Sequence, residues 1–351
     1  MTYKTNLTCR KFSLAAAFML LCLICKSQYN FAIVDQLLLD NQKALGKELA
    51  VLIYKDGKII YQKETGDFTI KTRAPIASCS KWLTAALVMT FVDEGKISLD
   101  DPVSKFLTIF ETYGKNYITI RQCLSHQTGI ADNPRLIAKL LERRKFESLE
   151  EEVNSFAKKE IAANPGTSFL YSGMGLNIAG RVLEVVSKKK FDQLIKQRIF
   201  TPLNMRNSSF TPENYAINPS GGATSTAADY MNFMSMLLAK GMFGGNRILS
   251  ENAILQMQTI QTKNSNKLYS PKVAEGFEYG LGEWIEQTDS KGNSRVVSCP
   301  GLFGTWPYID LCRNYAAIVF VKNVLTEEKK DVYSALKKAI DQQLSGECNG
   351  L

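Results

Sequence analysis

Histidine is almost missing from this chain: His126 is the one imidazole in 351 residues. Hydrolytic zinc centres normally draw on two or more histidines, which disfavours that class at once. A Ser-His-Asp triad would have to be built on His126, and the Gly-x-Ser-x-Gly elbow that presents such a serine does not occur. Cysteine spacing excludes the common structural zinc sites. The five cysteines after Ser27, which are Cys79, Cys123, Cys299, Cys312 and Cys348, lie far apart with no Cys-x-x-Cys pair. Their odd number leaves at least one free thiol even where disulfides form. There is no low-complexity tract and no repeat at the periods of solenoids or propellers.

A long apolar run is lacking too. Phe12 to Cys25, FSLAAAFMLLCLIC, holds 14 residues, short of the ~20 that span a bilayer. It follows Lys4, Arg10 and Lys11 and precedes Cys25-Lys26-Ser27, the pattern of a signal peptide over residues 1–27 with Gln28 as mature start. Acylation of Cys25 is the rival reading, and the bulky Ile24 before it argues against a lipoprotein. The expected location is therefore periplasmic or secreted, with no stable membrane span after cleavage. Loss of the four Lys and Arg of this leader takes the formal charge from +9 to +5. The one basic cluster, Lys188-Lys189-Lys190, follows a helical pattern and reads as a solvated helix end; no nucleic-acid partner is expected.

What is present is enough for one large two-part domain, with 45% apolar residues for its core. Two β-rich runs flank Asp56-Gly57, a hairpin signal. Val34 to Lys43 before them has the pattern of an amphipathic helix. Residues 79–94, CSKWLTAALVMTFVDE, are apolar on all faces and predict a buried central helix closed by Gly95. Helical signals dominate from about 97 to 270. Among them are Asp101-Pro102 as a helix start, the capping box Thr119 to Gln122, and periodic runs at Ile178 to Ser187 and Phe191 to Ile199. Ser225 or Thr226 can cap Ala227 to Ala239. Strand patterns return at Glu283 to Gln287, Arg295 to Cys299, Thr305 to Ile309 and Ala316 to Val321, before a closing helix from Glu327 to Leu344. An isolated hairpin is not a stable sheet, so the N-terminal one is expected to join the C-terminal strands. The expectation is an α+β fold: a sheet subdomain of about 28–96 and 271–351, a helical subdomain of about 97–270 inserted between its halves, and a cleft at the seam.

The chemistry for such a cleft starts at IASCSKWL, Ile76 to Leu83. A spacing of three puts Ser78 and Lys81 on one helix face, whereas Ser80 is paired at that spacing with Leu83. Ser78 is thus the candidate nucleophile. Serine needs a base beside it, and an amine serves when burial or neighbouring charge lowers its pKa. A helix N-terminus adds positive potential for a developing oxyanion. A solvated serine and lysine would explain Ser-x-x-Lys equally well in an ordinary helix, but a lysine inside an apolar one is harder to explain as surface.

The stretch ASCSKWLTAALVMTFVDEGKISLDDPVSKFL resembles the nucleophile region of the serine β-lactamase-related family. That family groups class C β-lactamases, D-alanyl-D-alanine carboxypeptidases and β-lactamase-fold esterases. ITIRQCLSHQTGI, NPGTSFLYSGMGLNIAGRVLEVVS, GGATSTAADYMNFMSMLLAKG, YGLGEWI and SCPGLFGTWPYID continue the resemblance in order over roughly residues 30 to 345. It implies the class C β-lactamase or penicillin-binding-protein-like transpeptidase fold and an exported serine hydrolase working through an ester on Ser78, without metal or cofactor. It implies Lys81 as base or proton relay and Tyr171 as second proton-transfer group. The oxyanion hole would be formed by the N–H groups of Ser78 and Leu302, beside Gly301. The implied substrate is a small ester, a D-amino-acid amide or peptide, or another peptidoglycan-derived molecule. The alternatives are a true β-lactamase and a catalytically silent homologue that binds a peptidoglycan fragment.

The resemblance also places Gly173 and Cys299 among the substrate-binding positions, and these two depart from the family pattern. Gly173 stands where asparagine often grips a substrate amide. Cys299 begins Cys-Pro-Gly where Lys-Thr-Gly or His-x-Gly would supply a cation or imidazole. These departures favour esters over β-lactams. His126 and Cys79 are expected to be structural, and Trp306 is expected either to line the cleft or to sit in the core.

Overall fold

The computed structural model describes residues 29–132, 146–211, 215–323, 327–344 and 348. The leader expectation, with Cys25 and Gln28, lies outside them.

After helix α1 (Ala32–Asp40) come strands β1 (Leu49–Lys55) and β2 (Lys58–Thr65). They are joined by Asp56 and Gly57, both at positive φ (50° and 81°), the geometry of a two-residue hairpin turn. Helix α2 (Ser80–Asp93) follows, then the short α3 (Ile120–Leu124), α4 (Met174–Ser187) and α5 (Ala227–Leu238). The chain returns to the sheet with β3 (Glu278–Tyr279), β4 (Trp284–Thr288), β5 (Ser294–Ser298), β6 (Trp306–Asp310) and β7 (Tyr315–Val321), and α6 (Glu327–Gln343) closes it. One antiparallel sheet results, in the order β2-β1-β7-β6-β5-β4-β3. The N-terminal hairpin joins it through β1 against β7, from Leu49 opposite Val321 to Lys55 opposite Tyr315.

Strand β7 shows why this sheet is apolar throughout. Ala316, Ile318 and Phe320 face the large core shared with α2 and α5, whereas Tyr315, Ala317, Val319 and Val321 face a second core under α1 and α6. Both faces are covered, so the strand reads as a continuous apolar run. Helix α5, within the span expected to be helical, packs on β1 and β7. Trp306 is 4% exposed and lies against Tyr333 of α6 (centroids 4.7 Å apart), so it belongs to the second core and not to the cleft.

The capping box forms as expected: Thr119 accepts from the Gln122 N–H, and Gln122 Oε1 accepts from the Thr119 N–H. At Asp101-Pro102 the outcome differs. Pro102 is extended (ψ 138°) and bridges to Thr119, so only a 3₁₀ turn, Val103–Lys105, follows it. Two of the five cysteines pair, Cys312 with Cys348, and Cys79, Cys123 and Cys299 are free and buried.

Candidate active site

The nucleophile segment turns sharply before it becomes helical. Ala77 has φ +45°, a conformation that costs a non-glycine residue about 1 kcal/mol or more and persists only where the surroundings impose it. Ala77, Ser78 and Cys79 form a 3₁₀ turn that runs directly into α2. Ser78 is half-buried, and its N–H lies in the first turn, where a helix offers its amides no internal partner.

The two serines of the stretch have separate surroundings. Ser78 Oγ lies 3.2 Å from Lys81 Nζ. Ser80 is fully buried, and its Oγ accepts the N–H of Ala223 at 3.0 Å, which ties α2 to the segment before α5. Thr84 adds a second tie, donating to the Pro219 carbonyl at 2.6 Å.

Lys81 is 4% exposed. Its Nζ donates to the Ser220 carbonyl at 2.8 Å and stands 4.9 Å from the centroid of the Tyr171 ring. Ser220 is held in turn: its N–H donates to Asn177 Oδ1 (3.0 Å), and Asn177 Nδ2 donates to the buried carboxylate of Glu152 (3.0 Å). A chain of side chain and backbone thus runs from Glu152 through Asn177 and Ser220 to the lysine. None of its three members is marked by a local pattern.

The Tyr171 phenol is near enough to Ser78 to interact with it. Burial pushes its phenol far above the usual range, and nearby Cys299 adds to this, while the interaction with Ser78 opposes it. The group is a neutral phenol at neutral pH. Its ring is gripped by Trp284 (5.0 Å between centroids) and His126 (4.6 Å). Its backbone N–H donates to the Tyr269 carbonyl. His126 Nδ1 accepts the Ser172 N–H at 3.4 Å, so the ring proton lies on Nε2, 3.1 Å from Tyr279 Oη. His126 therefore orders the aromatic wall behind Tyr171, in line with its expected structural part.

Across the cleft the strand end after β5 brings backbone rather than side chains. Cys299 is 1% exposed, with Sγ against the carbonyls of Ser78 (3.2 Å) and Gly282 (3.5 Å). Burial pushes its thiol up to about 12. This corrects the placing of Cys299 among substrate-binding groups: it packs beneath the nucleophile instead of facing the cleft. A side chain at Gly301 would run into the Ile76 carbonyl, which explains the glycine. Its N–H is engaged by Thr305 O (2.8 Å) and its carbonyl by Gly304 N–H (2.9 Å). This turn carries Leu302, whose N–H meets no protein acceptor among the described residues.

At Gly173 a Cβ would fall 2.6 Å from Ser220 Oγ. The space is occupied.

Behind α2 lies Glu283, fully buried, its carboxyl oxygens without a hydrogen-bond partner among the described residues. Trp82 Nε1 faces it without closing a bond. Burial raises its pKa well above the ordinary carboxylate value.

Comparison with known proteins agrees with this architecture. A curated protein of Mycobacterium tuberculosis, described as uncharacterized, is 24% identical over 73% of this chain and 80% of its own. A solved structure from Bacteroides dorei, described as a candidate beta-lactamase, is 30% identical and superposes with a TM-score of 0.79 over 90% of this chain and 99% of that one. A D-stereospecific amidohydrolase from Streptomyces, 22% identical, shares the fold at a TM-score of 0.66 over 87% of this chain and 98% of that chain. The sequence model of the Beta-lactamase family matches residues 40–340, and the chain belongs to that family of serine-hydrolase-fold proteins.

Proposed function

We propose that this protein is an exported serine hydrolase that transfers the acyl group of small esters or D-amino-acid amides and peptides to Ser78 and then to water. The observation that carries the reading is the Ser78 hydroxyl 3.2 Å from the buried Lys81 Nζ, which itself stands 4.9 Å from the centroid of the Tyr171 ring.

Ser78 Oγ attacks the substrate carbonyl as its proton passes to the Lys81 amine. The N–H groups of Ser78 and Leu302 stabilise the oxyanion, a type of donor worth about 10²–10³ in rate. Collapse expels the leaving group, which takes the Tyr171 proton, and the tyrosine regains one from Lys81. The net movement is one proton from serine to leaving group. Water then repeats the sequence against the Ser78 ester. A phenol whose pKa is raised suits this part, because it starts protonated and its anion is a strong base.

Esters are favoured over β-lactams because Cys-Pro-Gly offers no cation to a substrate carboxylate, and charge-assisted contacts are the strong ones. The test is turnover of short-chain p-nitrophenyl esters against penicillins and cephalosporins, with Ser78→Ala as control. Higher kcat/KM for the best ester, lost in Ser78→Ala, is expected. A cephalosporin turned over faster than every ester would make β-lactam hydrolysis the function.

A further inference from the structure

The Ser220 hydroxyl that fills the space beside Gly173 is itself directed. It donates to Asn218 Oδ1 at 2.8 Å. The Asn218 carbonyl takes the N–H groups of Gly221 (3.2 Å) and Gly222 (2.8 Å), closing a tight loop. A Cβ on Gly221 would lie 3.2 Å from Asn218 Nδ2 and 4.0 Å from the carbonyl carbon of Ala77. The loop therefore runs beside the residue that precedes the nucleophile, and Ser220 is fixed to Lys81 and Asn177 by its own backbone.

Asn218 is half-buried. With Oδ1 committed to Ser220, its orientation is set, and its NH₂ group meets no protein acceptor among the described residues. An amide group held in one orientation, with both donors unspent among the described residues, on a loop that runs beside the residue preceding the nucleophile, is a recognition element for a carbonyl oxygen.

We propose that Asn218, oriented by Ser220, is the donor that binds the amide carbonyl of an N-acylated amino-acid or peptide acyl group, in place of the side chain absent at Gly173. This rests on Ser78 being the acyl acceptor. A substrate carrying an amide next to its reacting carbonyl is then positioned by one bond that a simple ester lacks.

The experiment compares kcat/KM for N-acetyl-D-alanine p-nitrophenyl ester with that for p-nitrophenyl propionate, the same acyl chain without the amide. It uses wild type, Asn218→Ala, Asn218→Asp and Ser220→Ala. The ratio of the two values is expected to fall about tenfold in Asn218→Ala, the loss of one neutral hydrogen bond in a closed site. It should fall further in Asn218→Asp, which turns a carboxylate oxygen toward the substrate carbonyl, and less in Ser220→Ala, which only frees the amide to rotate. A ratio unchanged in all three variants overturns the proposal, whatever the absolute rates. Failure of the underlying reading looks different: wild type would turn over neither ester, or Ser78→Ala would turn over both.

Discussion

The two walls of the cleft are built on different principles. On the helical wall Ser78, Lys81 and Tyr171 meet as side chains, each held by partners that are themselves buried. On the sheet wall Cys299, Pro300, Gly301 and Leu302 present main chain, and the one side chain with chemistry, the Cys299 thiol, is turned inward. The contrast separates bond-making from substrate recognition. The first keeps a full complement of groups, and the second has lost its cation, so a substrate must be recognised elsewhere.

The largest effect should come from the helical wall. Ser78→Ala is expected to lower ester turnover by at least about 10⁴-fold, as loss of a nucleophile does elsewhere. Ser80→Ala should keep the chemistry and instead lower stability by about 1–3 kcal/mol, because the Ala223 N–H loses its buried acceptor. Thermal melts and p-nitrophenyl ester assays on the pair separate the two outcomes.

Next come the proton-transfer groups. Lys81→Ala and Tyr171→Phe are each expected to cost about 10²–10⁴. The double variant should be little worse than either, since both serve the same proton. Multiplicative losses in a double-mutant cycle would show that they act separately.

Gly173→Asn sharpens the comparison, since it introduces the family-like residue on the helical wall. Its Cβ would meet Ser220 Oγ, and Ser220 also holds Lys81. Activity toward esters is therefore expected to fall, by about tenfold or more if misplacement is of the order of an ångström. A gain in β-lactam turnover without loss of ester turnover would show that the loop yields freely. On the sheet wall Cys299→Ser should leave ester kcat/KM nearly unchanged. Cys299→Lys should destabilise the protein by several kcal/mol, because it buries a charge under the nucleophile instead of offering it to substrate.

The smallest effect is one of pH on stability. Glu283 has its pKa raised in the folded protein, so its neutral form favours folding fully below about pH 4.5. That contribution is lost progressively as pH rises above this value toward the folded pKa. Glu283→Gln should flatten this part of the profile in denaturant titrations between pH 4 and 8. An identical slope in both proteins would place the charge elsewhere.

What the sequence disclosed about this site was local. Ser78 and Lys81 are three residues apart on one helix, and Tyr171 sits in a motif of contiguous residues. Such relations survive without coordinates. The strands were readable for a similar reason, since β7 is apolar on both faces. What supports the lysine was not readable: Ser220 lies 139 positions from Lys81, and Asn177 lies 43 from Ser220. The same limit holds at Gly173, where a missing side chain is visible in sequence but the neighbour filling its place is not. Asp101-Pro102 failed differently, because a tertiary bridge to Thr119 overrode a helix-start signal.

The most direct test is intact-protein mass spectrometry after treatment with a fluorophosphonate, with peptide mapping, on wild type, Ser78→Ala and Ser80→Ala. One adduct mapped to Ser78 in wild type and Ser80→Ala, and none in Ser78→Ala, is the predicted result; an adduct that persists in Ser78→Ala would contradict the account.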